Sequence, residues 1–396
     1  MPTAPTGSGR TGALARIVGD PARFLAEHWA VEPLYRPGAD PGAFADLFSL
    51  ADVDHIISSS APRLPAFRMV KDGKPLDPAT YTRSARMGSK PVTGLADPGR
   101  VWDAFHGGAT LVLQSVHRFW PSLARLSREL ELVLTHPVQV NIYVTPPASR
   151  GLGVHHDPHD VFVLQVSGRK QWDVYSADVH KPGSDERLIG AELQPGDAMY
   201  IPQRFPHAAR TAETASVHLT VGILTVTWAD ALRSVVATAV DEALSDQPLP
   251  AGFALTPQRW SAAVADQLAE ARRRLDKLDP GVLAERAADR FWSQRPPLLA
   301  GQLQQLLALD RVTDDTEVRR RAGAVCRVRP RADRVELLLG DRTVSLPDRA
   351  RPALDTVLGS GGLAVRDLAP HLDASSRLVL VRRLIAEGLL EQVAVD

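Results

Sequence analysis

A single cysteine, Cys326, in 396 residues excludes an internal disulfide framework and any multi-cysteine zinc site. Net charge is missing too. Forty-six Lys+Arg stand against 46 Asp+Glu, so no whole-chain field draws in nucleic acid or an anionic membrane, and any basic patch must be local. No apolar run is long enough to span a membrane, and the apolar stretch 13–18 is interrupted by Arg16 and too short for the core of a signal peptide. These absences predict a cytoplasmic protein. The start, rich in Pro, Gly, Ser and Thr, reads as a disordered tail over residues 1–20. What remains is ordinary globular composition, 44% hydrophobic and 23% charged, in a length that suits about two to three domains.

From Pro21, the spacing of Phe24, Leu25, His28 and Trp29 predicts an amphipathic helix closed by the loop Tyr35-Arg36-Pro37-Gly38. The short apolar run Phe67-Arg68-Met69-Val70, broken at Asp72-Gly73, predicts a hairpin, and residues 115–134 a further helix. Strands are then expected at 138–144, 161–166, 171–175, 198–201 and 217–221, punctuated by Pro146-Pro147, Ser167-Gly168 and Pro195-Gly196-Asp197. Short strands separated in this way indicate a sandwich or jelly-roll barrel whose wide mouth can hold a metal.

After Trp228 the periodicity changes. Leu232, Val235, Val236, Ala239, Val240 and Leu244, then Val264, Leu268, Ala271, Leu275 and Leu278, recur at helical spacing around the breaker Gln247-Pro248-Leu249-Pro250. This helical pair can bury its stripes against a second copy of the chain or on the chain's own barrel. In the last hundred or so residues, strands at 334–339 and 389–393 flank three short helices: Ala353-Leu354-Val357-Leu358, then Val365-Leu368-Ala369, then a helix with Ser375 as N-cap and Gly388 as its stop. That order is winged-helix-like. A DNA reader would carry a basic recognition helix, for which only Arg377, Arg382 and Arg383 are available. The run Arg319-Arg320-Arg321 with Arg327, Arg329, Arg331 and Arg334 could touch RNA or an acidic partner surface, but charge runs are usually solvated faces, so nucleic acid is not an expected partner.

The most informative segment is Gly153-Val154-His155-His156-Asp157, with Pro206-His207 downstream. Two imidazoles and a carboxylate can occupy one face of an octahedral ion and leave the other face open, the arrangement typical of non-haem Fe(II) oxygenases. On a strand, His155 and Asp157 share a face and His156 points away. A register using His156 would place Val154 and Pro158 beside it, and neither binds a metal. The third ligand must come from a neighbouring strand, and His207, just past Gly196-Asp197 and Tyr200-Ile201-Pro202, supplies it. His159 reads as a pocket-lining or surface residue. Twelve histidines offer accidental pairs, but the ordered spacing within strand-forming sequence favours a metal over hydrogen-bonded core histidines. The ligand set alone leaves a catalytic zinc open. A 2-oxo acid chelating iron would bring a distal carboxylate into the barrel, and a buried charge needs a partner. Lys170 shares strand parity with Trp172 and Val174 and points inward, whereas Arg169 has the opposite parity. The bland reading is a surface lysine beside Arg169.

The stretch Asn141-Ile142-Tyr143-Val144-Thr145-Pro146-Pro147, with Gly151, His155-His156-Asp157, the run from Asp160 to Trp172, Gly196-Asp197, Tyr200-Ile201-Pro202 and Pro206-His207, resembles the JmjC-type ribosomal oxygenases, the cupin-4 family. The likeness extends more loosely to residues 24–29 and to Gly108-Ala109-Thr110-Leu111. It implies an α+β chain with a JmjC/cupin double-stranded β-helix over 21–227, a helical dimerisation region over 228–295 and a winged-helix domain over 296–396. It also implies Fe(II) held by His155, Asp157 and His207, with 2-oxoglutarate and dioxygen as co-substrates. Lys170 then falls on the basic co-substrate position and Asn141 on a polar position lining the same pocket. The implied reaction converts 2-oxoglutarate to succinate and hydroxylates an unactivated C–H bond in an arginine or histidine side chain of a ribosomal protein. The Ala/Arg/Leu-rich composition favours arginine. A homodimer is implied as well. Many members place a small hydroxyl residue near the end of the strand after the last ligand. Here Val221-Gly222-Ile223 intervenes, and Thr220, with Thr225 nearby, is the candidate contact. His156 and His159 also depart from the family's usual residues.

Two other readings compete. One keeps the oxygenase chemistry but takes a ribosomally made peptide natural product or a free amino acid as substrate. The other is a non-enzymatic regulator whose C-terminal unit binds DNA while the barrel senses 2-oxoglutarate or metal. Demethylation of an N-methyl lysine is not required by anything in the sequence.

Overall fold

In the computed structural model the described residues are 12–149, 153–177, 186–211, 213–244, 246–249, 251–255 and 257–394. They form two compact units that divide between Thr225 and Val226.

The tail expected over residues 1–20 is shorter than that. Gly12–Val18 is a helix that buries Ala13, Leu14, Ile17 and Val18, while residues 1–11 lie outside the described residues. Arg16, which interrupts the apolar stretch, lies over the Phe44 ring and donates to the Ala43 carbonyl at 2.7 Å, so its charge does not break the helix. Pro21–Arg23, capped by Asp20, runs on into one wide turn over Phe24–His28. The segment expected as a loop after it contains a strand, because Leu34–Arg36 pairs with a later edge of the barrel.

The strands of this unit are β1 Leu34–Arg36, β2 Phe67–Lys71, β3 Lys74–Pro75, β4 Thr82–Met87, β5 Lys90–Ala96, β6 Thr110–Leu113, β7 Val138–Thr145, β8 Asp160–Ser167, β9 Lys170–Tyr175, β10 Arg187–Leu193, β11 Ala198–Ile201, β12 His207–Arg210 and β13 Ser216–Ile223. They build an eight-stranded sheet in the order β1-β11-β8-β13-β7-β6-β2-β3, a three-stranded sheet β10-β9-β12 and the separate hairpin β4-β5. Each ladder is antiparallel, as a jelly roll requires.

Both faces of the large sheet are covered, which is why its central strands read as apolar runs. On one face Ile142, Leu219 and Val221 pack with Leu14, Val53, Ile56, Leu123 and Leu130 from the helices Gly12–Val18, Leu50–Ser59 and Pro121–Leu134. On the other, Val161, Val163, Met199 and Ile201 meet Trp172, Val174 and Leu193 of the small sheet. Alternation along each strand therefore sends every second residue into the barrel. The helix expected from residue 115 starts later, after a short turn at Val116–Arg118, because Pro121 suits a first-turn position and not a helix interior.

The β8–β9 turn sets the register of the small sheet. Gly168 has φ +65°, and a Cβ there would stand 1.7 Å from the Ala215 carbonyl oxygen, so only glycine lets β9 start where Lys170 points inward.

In the second unit, helices Trp228–Leu244, Ser261–Leu275 and Pro280–Trp292 are followed by strands β14 Glu317–Arg320, β15 Arg327–Pro330, β16 Arg334–Leu338, β17 Thr343–Pro347, β18 Leu363–Ala364 and β19 Leu390–Gln392. These form two three-stranded sheets, β18-β14-β19 and β15-β16-β17. Val318, Leu337, Leu354, Leu368, Leu384 and Leu390 share one core with the helices Arg351–Gly359 and Ala374–Ala386. The N-cap of the last helix is Asp373, whose carboxylate accepts the Ser376 N–H at 2.8 Å, and not Ser375, which stands inside the first turn. Four arginines of this unit are engaged within it: Arg377 with Asp314, Arg382 with the Val312 carbonyl at 2.8 Å, Arg383 with Glu387 and Arg319 with Glu391. Among the described residues, no helix is long and apolar enough to cross a membrane.

Candidate metal centre

β12 begins at His207, and its backbone exchanges two hydrogen bonds with His155, forming an isolated bridge. The expectation of a strand running through His155 and Asp157 is therefore corrected: one bridge holds His155, and the chain beyond it is irregular. Asp157 is positioned differently, its carbonyl accepting the Arg204 N–H at 3.2 Å from the turn that leads into β12. The outcome is convergence. One ligand atom from each of His155, Asp157 and His207 lies within 4.8 Å of the others, and the His207 Nε2 is 3.6 Å from the Asp157 carboxylate.

Both rings are aimed by their far nitrogens. His155 Nδ1 is 2.8 Å from the Gly153 carbonyl and His207 Nδ1 is 3.0 Å from the Phe205 carbonyl. A carbonyl requires Nδ1 to carry the proton, which leaves both Nε2 lone pairs free for an ion. Burial pushes the His207 pKa below its ordinary value, favouring the neutral form that binds metal. Two imidazoles and one carboxylate on adjoining segments fit a divalent first-row cation with open positions.

The ligand-bearing chain is tied down just beyond the site. Asp160, the first residue of β8, accepts the Tyr200 hydroxyl at 2.6 Å and the Gln203 N–H at 2.8 Å. It thereby joins the segment carrying His155 and Asp157 to the turn preceding His207.

Next to the three ligands is a cavity lined by Val70, Thr110, Val112, Tyr143, Val161, Lys170, Trp172, Ala209, His218 and Thr220 as well as the ligands themselves. Lys170 is 3% exposed. Its ammonium donates to the Thr145 hydroxyl at 3.1 Å and lies 6.0 Å from the Trp172 ring centre. Burial pushes its pKa down to about 7. A lysine held this way, by a hydroxyl and a ring, retains capacity for an anion.

The remaining sequence candidates divide. Thr220 lines the cavity, whereas Thr225 bonds its own chain at Ile223. Asn141 pairs in register with Thr220, but its carbonyl accepts the Ser115 N–H at 2.9 Å and it is not among the cavity-lining residues. That side-chain oxygen, Oδ1, supports the turn at Ser115, where φ is +54°. His156 is exposed, and His159 stands 3.4 Å from the Gln139 amide, away from the cavity lining. Sequence reasoning missed His218, Tyr143, Thr145 and Thr110. The signal was available in strand parity, since His218 shares a face with Thr220 and lies opposite Tyr143.

Residues 113–231 match the family model described as a JmjC domain. The chain is 32% identical over 241 residues to ribosomal oxygenase 1 of Gallus gallus, covering 57% of this chain and 39% of that protein. It is 28% identical over 235 residues to the bifunctional lysine-specific demethylase and histidyl-hydroxylase NO66 of Culex quinquefasciatus, covering 56% and 35%. The matched region thus spans less than two-fifths of these relatives. Solved structures of YcfD, a ribosomal oxygenase from Escherichia coli, share the fold over nearly the whole chain. One, in complex with cobalt and succinic acid, has a TM-score of 0.55 at 21% identity, covering 94% of this chain and 98% of that one. Another, in complex with cobalt and 2-oxoglutarate, has a TM-score of 0.55 at 22% identity with the same coverage.

Proposed function

We propose that this chain, which carries a JmjC domain related to those of the ribosomal oxygenases, is an Fe(II)- and 2-oxoglutarate-dependent oxygenase that hydroxylates a side chain of a ribosomal protein. The observation that carries this reading is a three-ligand centre opening onto a buried lysine whose hydrogen-bond partner is a hydroxyl rather than a carboxylate. His155, Asp157 and His207 would hold the iron, which when bound supplies the chemistry that couples oxidation of 2-oxoglutarate to C–H hydroxylation. Lys170 would pair with the co-substrate's distal carboxylate, with Thr220 on the same cavity wall. Val70, Val112, Val161 and Trp172 keep that wall apolar and exclude water.

The hydroxylated residue is an arginine or a histidine. Residues 21–227 form the catalytic domain in this reading, 228–295 a helical dimerisation region and 296–396 a winged-helix domain, in a homodimer that works in the cytoplasm.

The test is intact-mass analysis of ribosomal proteins from a strain lacking the gene, before and after incubation with the iron-loaded enzyme and 2-oxoglutarate. A gain of about 16 Da on one protein, dependent on 2-oxoglutarate, is the expected result. Fragmentation then assigns arginine or histidine. Conversion of 2-oxoglutarate to succinate without any mass gain would overturn the ribosomal substrate in favour of a small peptide or free amino acid.

A further inference from the structure

His218 stands in the middle of β13, facing the cavity beside Lys170. The residue is 2% exposed. Its ring stacks on Tyr143, with centroids 5.1 Å apart and 9° between planes, and meets Trp172 edge-on at 5.4 Å and 89°. Two rings at right angles fix its position. Yet Nδ1 is buried and has no hydrogen-bond partner among the described residues. A leucine or phenylalanine would pack the same space without the cost of an unbonded buried nitrogen. Burial, and then the neighbouring Lys170, hold the imidazole well below its ordinary pKa, so it is neutral and offers one N–H donor. Trp172 Nε1 in the same wall is likewise buried and unpartnered among those residues.

We propose that His218 is a co-substrate-binding residue that selects for a dicarboxylate: its neutral imidazole donates a hydrogen bond to the distal carboxylate of the 2-oxo acid, alongside the Lys170 ammonium. The inference rests on the reading of this cavity as the 2-oxo acid site. Lys170 supplies charge on a flexible stem, whereas His218, clamped by Tyr143 and Trp172, supplies direction. A carboxylate presents two oxygens, one for each donor. A 2-oxo acid ending in a methyl group satisfies neither: it leaves the imidazole N–H unbonded and the ammonium with only the Thr145 hydroxyl as its partner.

The test is anaerobic calorimetric titration of 2-oxoglutarate, and separately of 2-oxopentanoate, into the Mn(II)-loaded full-length protein. Wild type should prefer 2-oxoglutarate. His218→Phe, which keeps the stack, should weaken 2-oxoglutarate binding by about 10- to 100-fold and leave 2-oxopentanoate within about three-fold, while His218→Gln, which keeps an N–H, should recover most of the loss. Should His218→Phe fail to fold, His218→Leu against His218→Gln carries the same comparison. Unchanged 2-oxoglutarate affinity in the apolar variant, or an equal loss for both acids, overturns the assignment of His218. Failure of the wild type to bind 2-oxoglutarate overturns the reading of the cavity itself.

Discussion

His155 and His207 face each other across a two-bond antiparallel bridge, the His155 N–H donating to the His207 carbonyl at 3.1 Å and the His207 N–H to that of His155 at 2.8 Å. The backbone thus brings the rings to 4.4 Å between centroids, and the side chains contribute nothing to the bridge. Truncating either ring should therefore leave the fold intact. His155→Ala and His207→Ala are expected to abolish 2-oxoglutarate turnover while keeping the wild-type melting temperature in chelator. Mn(II) at a hundred-fold excess over its dissociation constant should stabilise the wild type by about 2.7 kcal/mol and neither variant. Turnover retained by either one would remove it from the ligand set.

Asp160 links the two ligand-bearing segments through the Tyr200 hydroxyl and the Gln203 N–H. Burial and the adjacent carboxylate raise the Tyr200 pKa, so the phenol stays protonated and donates. The same oxygen accepts the Ala30 N–H at 2.9 Å. Tyr200→Phe strips partners from both groups at once. Urea unfolding should show a loss of about 1–3 kcal/mol, and Mn(II) titration a weakened centre, because Gln203 lies just before His207. Wild-type values in both measurements would show that the Asp160 link does not position the metal ligands.

The barrel is legible in the sequence where burial on both faces makes a strand continuously apolar, as in β8, or where alternation is regular, as in β7. It is illegible where pairing alone makes the strand. Leu34–Arg36 runs into Pro37 and is extended because it pairs with β11, and the mixed composition of Arg187–Leu193 becomes a strand only against β9. The three candidate ligands can be picked out because their spacing reports chemistry, and the structure brings them together. His218 escapes notice because a histidine within Val217-His218-Leu219 reads as strand filling until the barrel shows which face it takes. Asn141 shares parity with Tyr143, and its side-chain oxygen also serves the Ser115 turn, a local demand that spacing does not reveal.

The helices Trp228–Leu244 and Ser261–Leu275 leave Leu232 55%, Val236 42% and Leu268 66% exposed. Apolar residues recurring on helices at this exposure fit an interface better than solvent. If a second copy covers them, light scattering at micromolar concentration should give twice the 42.9 kDa chain mass, and Leu232→Lys with Leu268→Lys should halve it. A wild-type mass of one chain would exclude the dimer.

Lys170 couples both co-substrate binding and folding to pH, with opposite signs. With the folded-state pKa near 7, the ammonium is present below that value and lost above it. A carboxylate binds the ammonium, so 2-oxoglutarate affinity should be flat below pH 7 and fall by up to about ten-fold per unit above it, until the pKa of the complex is reached. Calorimetry from about pH 6 to 9 should show this fall, with proton uptake, in wild type; Lys170→Met should bind weakly at every pH. Folding responds in the opposite direction. Between about 7 and the ordinary lysine value of 10.5 the unfolded chain holds more protons than the folded one, so the stability of the ligand-free protein should rise with pH across that window. Lys170→Met removes the burial penalty and should be more stable than wild type at pH 7 by about 1–3 kcal/mol, even as it loses the co-substrate. A wild-type affinity that does not change with pH would deny the lysine its depressed pKa. A less stable Lys170→Met would show that the Thr145 contact outweighs the cost of burying the charge.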